Sequence, residues 1–285
     1  MRTLNLPLPA NAEAALGRPA RTYFALADSL SALADFAQAK GRQNGHGDWS
    51  GNKTLTEACT ACRTGDLSLV ARSDSLLARF ERFTFATPAK AWRRDVSGHR
   101  PDVPALLAGH PAAMRRRVRL VTEAAPLAVI VDLTTSGSID PADIEKRGAA
   151  ILALCRILAG RRPVELWAGV MTQAFGREGV ALFARIDTAP LDLARAAFAM
   201  VSPAYPRQML YSLARGAYDF GGSWPYKSHN ISRDYLADIM RPALPHIGEV
   251  LAIPAAHTND AIHKAPEAWL ESTLARLDGT GQAAA

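Results

Sequence analysis

Residues 126–140 read PLAVIVDLTTSGSID, and this stretch decides the fold. Its first part is a continuous apolar run rich in β-branched side chains, which is typical of a strand covered on both faces. A turn follows, and Pro141 then takes the first position of a helical pattern for which Asp140 or Ser138 supplies the cap. A buried strand followed at once by a capped helix indicates an α/β protein.

The alternation of strands and helices continues along the chain. PVELWAGVMT at 163–172 and VALFARIDT at 180–188 are predicted strands, and the hairpin-type connection FGREG joins them. EVLAIPA at 249–255 is a further buried strand, and APEAWLESTLARLDG at 265–279 is a closing helix. We therefore expect an α/β fold.

The first part of the chain reads as helical. TYFALADSLSALADFAQAKG at 22–41 has apolar residues at helical spacing, and shorter helices are predicted at 56–65 and 66–83. Residues 88–113 carry several Pro and Gly residues and read as an extended connector. The predicted division is a mainly helical N-terminal region at 1–113, an α/β domain at 114–278 and a frayed tail at 279–285.

Composition excludes several classes of protein. The 285 residues are 48% hydrophobic and 21% charged, which is ordinary globular usage and excludes wholesale disorder. No apolar stretch approaches the ~18–20 residues of a membrane helix, and the N-terminus lacks the apolar region of a secretory signal. The Cys count of 3 argues against a disulfide framework and for a reducing compartment. The net charge of +6 permits an anionic partner such as nucleic acid.

Oxygen-bearing side chains follow the 126–132 strand at alternate positions. Asp132, Thr134 and Ser136 stand at spacing i, i+2, i+4 where the strand ends. Their oxygens can converge on one hard cation, and water molecules would complete the octahedral shell that Mg²⁺ prefers. The rim outside the carboxyl ends of strands is also where open α/β sheets bind ligands.

The strand ending in D-x-T-x-S, the helix EKRGAAILALCRIL and the hairpin PVELWAGVMT–GVALFARID together resemble a von Willebrand factor A domain over about residues 120–260. The resemblance implies an open, doubly wound, mostly parallel sheet. It also implies a metal-ion-dependent adhesion site with Asp132, Thr134 and Ser136 as first-loop ligands. Thr188 would be the second-loop ligand and Asp260 the third-loop ligand, although neither lies in a recognisable family motif. The chain also ends before the last two strand–helix units of that family.

This resemblance implies a binding protein rather than an enzyme. A Mg²⁺ ion at the site would keep one coordination position open for a carboxylate of a protein partner. A second likeness is to an uncharacterised family of tailed-bacteriophage proteins, carried by DWSGN at 48–52, GHRPDVPALLAGHP at 98–111 and RGAAILAL at 147–154. It implies a location in the cytoplasm of a bacterial host, or association with a virion.

An alternative function comes from the densest positive patch of the sequence. Arg115, Arg116, Arg117 and Arg119 lie close together, and Arg93, Arg94 and Arg100 precede them. Guanidinium groups in such a cluster can bind phosphates bidentately, so nucleic acid is the alternative partner. Trp92 is the nearby aromatic residue for base stacking, and a solvated charged surface is the simpler interpretation.

Two further arrangements suggest weaker alternatives. Asp132, Asp260 and His257 could form a metal-assisted hydrolase site. His257 and Asp260 could instead activate Ser136 or Ser138 as a nucleophile, but the sequence has no G-x-S-x-G motif. Cys59 and Cys62 form a C-x-x-C pair with no second pair at zinc-finger spacing. We interpret them as small buried residues of a helix.

Overall fold

The computed structural model describes residues 2–4, 21–45, 47–80, 90–119, 126–135, 139–160, 162–173, 178–188, 191–217, 233–257 and 260–282. These residues form an α/β structure around a six-stranded sheet. The strands are β1 (Arg2–Leu4), β2 (Arg21–Ala27), β3 (Lys90–Asp95), β4 (Arg100–Pro101), β5 (Met114–Arg119), β6 (Leu127–Asp132), β7 (Val164–Gln173), β8 (Glu178–Ile186) and β9 (Glu249–Ile253).

The helices lie between and after these strands. They are α1 (Leu30–Lys40), α2 (Leu55–Thr64), α3 (Leu67–Ala78), α4 (Val103–Leu107), α5 (Pro141–Ala159), α6 (Leu193–Val201), α7 (Tyr211–Ala217), α8 (Arg233–Met240), α9 (Ala261–Lys264) and α10 (Pro266–Gln282). A π-helical turn at Tyr205–Leu210 runs directly into α7, and short 3₁₀ turns occupy Asp48–Ser50 and Arg241–Ala243.

The main sheet has the order β1-β2-β8-β7-β6-β9. The pairs β2–β8, β6–β7 and β6–β9 are parallel, whereas β1–β2 and β7–β8 are antiparallel. The mostly parallel sheet and the antiparallel β7–β8 hairpin are therefore confirmed. The connection 174–177 lies outside the described residues.

Strand β6 lies between β7 and β9 in the main sheet, and every residue of it is buried. Because successive side chains of a strand point to opposite faces, its residues divide between the two hydrophobic cores. Val129 and Val131 join the core that holds α5 and α6, whereas Ile130 joins the core that holds α8. Helices thus cover both faces, as predicted for a doubly wound sheet.

The beginning of α5 is also as predicted. Asp140 is its N-cap, with the carboxylate accepting a hydrogen bond from the Ala142 amide at 2.8 Å, and Pro141 is its first residue. Pro is well placed there because the first amides of a helix have no partner within the helix. The helix continues to Ala159, and its inner face is buried along nearly its whole length.

The N-terminal region differs from the prediction at 22–27, which was assigned to a helix. Residues 21–27 form β2, paired in parallel with β8, and the helix α1 begins only at Leu30. Phe24 and Leu26 face one core and Ala25 and Ala27 face the other. A short apolar run of this kind fits either element, and pairing with β8 decides in favour of a strand.

Residues 88–113 were predicted as an extended connector, but from residue 90 onward they contain strands and a helix. β3, β5 and β4 form a separate three-stranded antiparallel sheet, in which β3 pairs with β5 along its whole length. The predicted boundary between 113 and 114 therefore separates strands that pair with each other. At the other end of the chain, α10 continues to Gln282, so that residues 279–282 of the predicted frayed tail are helical.

The packing of α5 against α6 depends on Gly148. A Cβ atom at this position would lie 2.1 Å from the carbonyl oxygen of Met200 in α6. Because that oxygen belongs to the backbone, a helix would have to move to accept a side chain. We expect Gly148→Ala to lower the free energy of unfolding by about 1–3 kcal/mol, measured by urea denaturation.

Gly45→Ala is the matched control, since a Cβ atom there meets nothing within 4 Å. It should leave the unfolding midpoint nearly unchanged. Equal midpoints for the two variants would contradict the close approach of α5 and α6.

Candidate functional site

The C-terminal end of β6 is the point where the sheet is wound in opposite directions. β7 lies on one side of β6 and β9 on the other, and both run parallel to it. Open α/β sheets bind ligands in the crevice at such a switch point, because the loops after the neighbouring strands diverge there. Asp132 is the last residue of β6 and lies at this position.

The Asp132 carboxylate is fully buried, with an exposed fraction of 0%. Its Oδ1 atom accepts hydrogen bonds from the Thr134 amide at 2.9 Å, the Thr134 hydroxyl at 2.5 Å and the Met171 amide at 3.3 Å. Its Oδ2 atom has no partner among the described residues. Burial raises the pKa of Asp132, while the bonds from Thr134 and Met171 act in the opposite direction.

Three hydroxyl-bearing side chains belong to this region, and one of them, Thr134, contacts the carboxylate. The Thr134 hydroxyl also lies 3.0 Å from the Met171 carbonyl oxygen, so that it connects the loop after β6 to β7. The Thr135 hydroxyl oxygen is buried and has no partner among the described residues. Burial raises the pKa of Tyr211, and the Asp132 charge raises it further. The Thr135 backbone and the Thr134 side chain act in the opposite direction and lower this pKa.

A buried arginine supplies positive charge at this edge. Arg147 Nη2 donates to the Asp132 carbonyl oxygen at 2.9 Å and to the Pro254 carbonyl oxygen at 2.8 Å, and so joins the ends of β6 and β9. Burial lowers the pKa of Arg147 to about 10, although the charges of Asp132 and Asp260 raise it. The guanidinium thus lies within the electrostatic influence of both carboxylates and stays protonated at neutral pH.

A second buried arginine, Arg207, forms hydrogen bonds to two other segments of the chain near the same edge. Arg207, in the π-helical turn, donates to the Trp49 carbonyl oxygen at 3.3 Å and to the Ile139 carbonyl oxygen at 3.4 Å. Its guanidinium carbon lies 5.2 Å from the Trp49 ring centroid, and that ring is stacked with Tyr211. Single π-helical turns are frequent at functional sites, and this one places Arg207 and Tyr211 beside the switch point.

The structure brings only part of the predicted metal site together. Asp132 and Thr134 are in contact. Asp260 acts electrostatically on Arg147, and its Oδ2 accepts a hydrogen bond from the His257 amide at 2.7 Å. Ser136 lies outside the described residues.

The structure does not place Thr188, the predicted second-loop ligand, beside Asp132. It follows β8, which runs antiparallel to β7, and its hydroxyl donates to the carbonyl oxygen of Val164 at the start of β7. Val164 pairs with Leu127, the first residue of β6, so Thr188 lies at the opposite edge of the sheet from Asp132. Thr188 therefore cannot bind the same metal ion as Asp132.

The donor atoms present at the edge suit a hard cation. Asp132 Oδ2 and Thr135 Oγ1 are buried oxygens without a described partner, and oxygen ligands are those that Mg²⁺ accepts. No group of three or more His, Cys, Asp or Glu side chains that could hold a metal lies among the described residues, so any ion here would rely on hydroxyl groups and water. The sequence interpretation missed Thr135, Arg147 and Tyr211. Arg147 could have been noticed as a cation on the inner face of a predicted helix.

The positive patch forms a second candidate site, which we call the basic ribbon and define as β3, β4 and β5. Trp92 pairs with Arg117, and Arg115 pairs with both Arg94 and Arg100. Residues directly opposite each other, and residues two apart on one strand, share a face of a sheet. One face of the ribbon therefore carries Trp92, Arg94, Arg100, Arg115 and Arg117, and we call it the binding face.

A single carboxylate orients two of these arginines. Asp102 Oδ2 accepts from Arg94 Nε at 2.6 Å and from Arg115 Nη2 at 2.9 Å. Both arginine side chains remain about half exposed, whereas the Asp102 side chain is 1% exposed. The hydrogen bond from Arg94 lowers the pKa of Asp102, and Arg115 adds to this effect. Asp102 also caps α4.

The other arginines of the patch differ in their surroundings. The Arg117 guanidinium carbon lies 5.2 Å from the Trp92 ring centroid, and Arg116, on the opposite face, pairs with Asp95 at 2.7 Å. Arg93 and Arg100 are exposed and make no ion pair with a described residue. Arg119 is the last residue of β5, and its side chain lies outside the described part.

The cysteine pair is structural. Cys59 and Cys62 lie on α2, both are buried, and the Cys62 thiol donates to the Leu30 carbonyl oxygen at 3.3 Å. Burial raises the pKa of Cys59 to about 11 and raises that of Cys62 as well. These groups are therefore thiols at neutral pH, whereas zinc is bound by thiolates. The interpretation as buried helical residues is confirmed.

The burial of Asp132 predicts a pH dependence of stability. Its pKa in the folded protein is raised above the ordinary value of 3.8, so the folded state keeps the proton to a higher pH than the unfolded state does. The stabilisation from this proton is complete at low pH and is lost as the pH rises through the folded-state pKa. Asp132→Asn should remove the loss. The stability of the variant, relative to that of the wild type, should therefore increase as the pH is raised from about 4 to about 7.

The measurement is urea denaturation at both pH values in the presence of a chelator, so that no divalent cation contributes. Asp187→Asn, which removes an exposed carboxylate, is the control for net charge. A constant difference between Asp132→Asn and the wild type across this range would show that the folded state does not raise the pKa of Asp132.

Known proteins offer one point of comparison for this chain. No curated protein and no solved structure gives a match. No helix among the described residues combines the length and apolar character that crossing a membrane requires. The family model described as "Domain of unknown function (DUF7192)" matches residues 10–264, which include both the switch point and the basic ribbon. The chain belongs to the DUF7192 family.

Proposed function

We propose that this protein binds nucleic acid through the binding face of the basic ribbon. The observation that carries the proposal is the arrangement of Arg94, Arg100, Arg115 and Arg117 around the exposed Trp92 on one face of paired strands. A strand surface that concentrates guanidinium groups is electrostatically complementary to a phosphate backbone.

Two arginines of this face are already oriented before a phosphate binds. Asp102 holds Arg94 and Arg115 in place while both stay about half exposed, so less side-chain freedom is lost on binding. Planar guanidinium groups can contact phosphate oxygens bidentately. Arg100 and Arg117 make no ion pair with a described residue, so their charges are available to a ligand.

The basic ribbon is separate from the main sheet, and Trp92, Arg94 and Arg115 on its binding face are about half exposed. None of its strands pairs with the six-stranded sheet. In a bacterial host cytoplasm, which is the location that we propose, nucleic acid is an abundant polyanion. The three cysteines, all buried free thiols, are compatible with a reducing location. Association with a virion would suit a nucleic-acid-binding protein equally well.

Charge reversal at the binding face tests this function. We expect Arg100→Glu with Arg117→Glu to weaken binding of a labelled oligonucleotide by roughly tenfold or more at about 50 mM salt, since each guanidinium group would otherwise make a charge-assisted hydrogen bond to a phosphate. The slope of log K against log salt should become shallower by about 0.7–0.9 for each phosphate that the variant no longer neutralises. Fluorescence anisotropy at about 50 mM and about 200 mM salt measures both effects.

Arg156→Glu with Arg241→Glu is the matched control. Both residues are exposed, and both lie on the main body of the protein. The control changes the net charge by the same amount and should bind nearly as the wild type does. If the control and the ribbon variant weaken binding equally, the net charge alone is responsible and the basic ribbon is not the site.

The switch point supports a second candidate function. We propose there a Mg²⁺-dependent contact with a protein partner, in which the bound ion accepts a partner's carboxylate. The supporting observation is that Asp132 Oδ2 and Thr135 Oγ1 are both buried and have no partner among the described residues. Arg147 contacts Asp132 through its carbonyl oxygen, which leaves the carboxylate oxygen to a cation. The predicted kinship with von Willebrand factor A domains and with phage proteins remains part of this proposal.

Isothermal titration with Mg²⁺ tests the second candidate. We expect a binding heat in the wild type that Asp132→Asn and Thr135→Val both abolish, because each removes an oxygen ligand. Thr188→Val is the matched control. It removes the hydroxyl of the predicted ligand that lies at the opposite edge of the sheet, and it should bind Mg²⁺ as the wild type does. Binding that survives in Asp132→Asn and Thr135→Val would place the ion elsewhere.

A further inference from the structure

We propose that the basic ribbon takes single-stranded rather than duplex nucleic acid, with one base stacked on the Trp92 indole and the flanking phosphates held by Arg94, Arg100 and Arg115. This inference rests on the proposed nucleic-acid function and adds the class of ligand to it. It concerns the orientation and exposure of one aromatic side chain, whereas the proposed function concerns charge.

Trp92 is an exposed aromatic side chain on a strand, with an exposed fraction of 44%. Its cross-strand partner is Arg117, whose guanidinium carbon lies 5.2 Å from the indole centroid. A cation over the face of a tryptophan is attracted by the ring quadrupole and limits the rotation of the side chain. The indole is therefore held in place by Arg117 while a large part of it remains open to a ligand.

The surroundings of the indole match a single strand. Arg94 is two residues from Trp92 on β3, which corresponds to about 6.8 Å along a strand, and Arg115 is the cross-strand partner of Arg94. Guanidinium groups thus lie to one side of the ring, where the backbone phosphates of a stacked nucleotide would run. A positively charged track combined with an aromatic platform is the general means of binding single strands without reading their sequence.

A duplex lacks the unstacked base that the Trp92 indole would bind. The bases of a duplex are already stacked and paired, so an indole gains contact with a base only if that base is extruded, which has an energetic cost. The phosphates of a duplex remain available to the arginines. The structure therefore predicts that charge contributes to the binding of both forms, whereas Trp92 contributes only to the binding of single strands.

Exposed apolar residues on the same unit suggest a different class of ligand as the alternative outcome. Val103, Leu106 and Leu107 on α4 are 54%, 58% and 83% exposed. Apolar side chains next to basic residues are also found on surfaces that bind anionic lipids. We favour nucleic acid because the strand register places the arginines and the indole on one face. The apolar side chains of α4 are not part of that register.

The test compares binding of an oligothymidylate of about 16 nucleotides, the corresponding oligouridylate and a duplex of equal length by anisotropy. We expect Trp92→Ala to weaken binding of both single strands by roughly tenfold or more and to leave duplex binding within about twofold, because stacking is lost and the charges remain. Trp92→Phe, which keeps a smaller ring, should lie between the wild type and Trp92→Ala. Leu107→Ala, which removes an exposed apolar side chain without a ring, is the matched control.

The outcomes separate the two proposals. If the ribbon charge reversal abolishes binding while Trp92→Ala affects all forms equally or none, the single-strand inference is overturned and the nucleic-acid function stands. If no form binds, but vesicles of anionic phospholipid bind and Leu107→Ala weakens that binding, both proposals are overturned. Thermal denaturation of each variant checks that it is folded, and the duplex arm serves as an internal control for Trp92→Ala.

Discussion

The structure depends on one constraint, which is that β6 must be covered on both faces. Every side chain of this strand is buried, so helices have to pack on each side of the sheet, and polar groups gather where the strand ends. Arg147 meets the same constraint at the end of the strand, because it satisfies the carbonyl oxygens of Asp132 and Pro254 that the sheet no longer pairs. The switch point is thus both the end of the hydrophobic core and a concentration of buried polar atoms.

The fold was largely predictable because its strands are long and apolar, whereas the candidate site was only partly predictable. Asp132 and Thr134 were found from their spacing after a strand. Thr188 was wrong for a reason that the sequence interpretation already contained. The segment before it was predicted to pair as a hairpin with β7, and the end of an antiparallel strand lies at the opposite edge of the sheet. The assignment of 22–27 to a helix failed because side-chain periodicity cannot show pairing with a strand that is distant in the chain, as in the β2–β8 register.

The basic ribbon was missed as a structure for a different physical reason. Its strands carry arginines where core strands carry apolar side chains, and the group at its centre is the Asp102 carboxylate with its two guanidinium partners. Strands joined by ion pairs show no hydrophobic periodicity in the sequence. The Pro and Gly residues between them therefore led to the prediction of an extended connector. The arginines themselves were identified correctly as a cluster. Only the strand register showed which of them share a face with Trp92.

The buried cysteines have a practical consequence. Cys59, Cys62 and Cys155 are enclosed between the helical layer and the sheet, and burial raises the pKa of each thiol. An alkylating reagent can reach them only when this layer opens, and it reacts with the deprotonated form. The rate of alkylation therefore reports directly on how often the helices α2 and α5 separate from the core, without any label added to the protein.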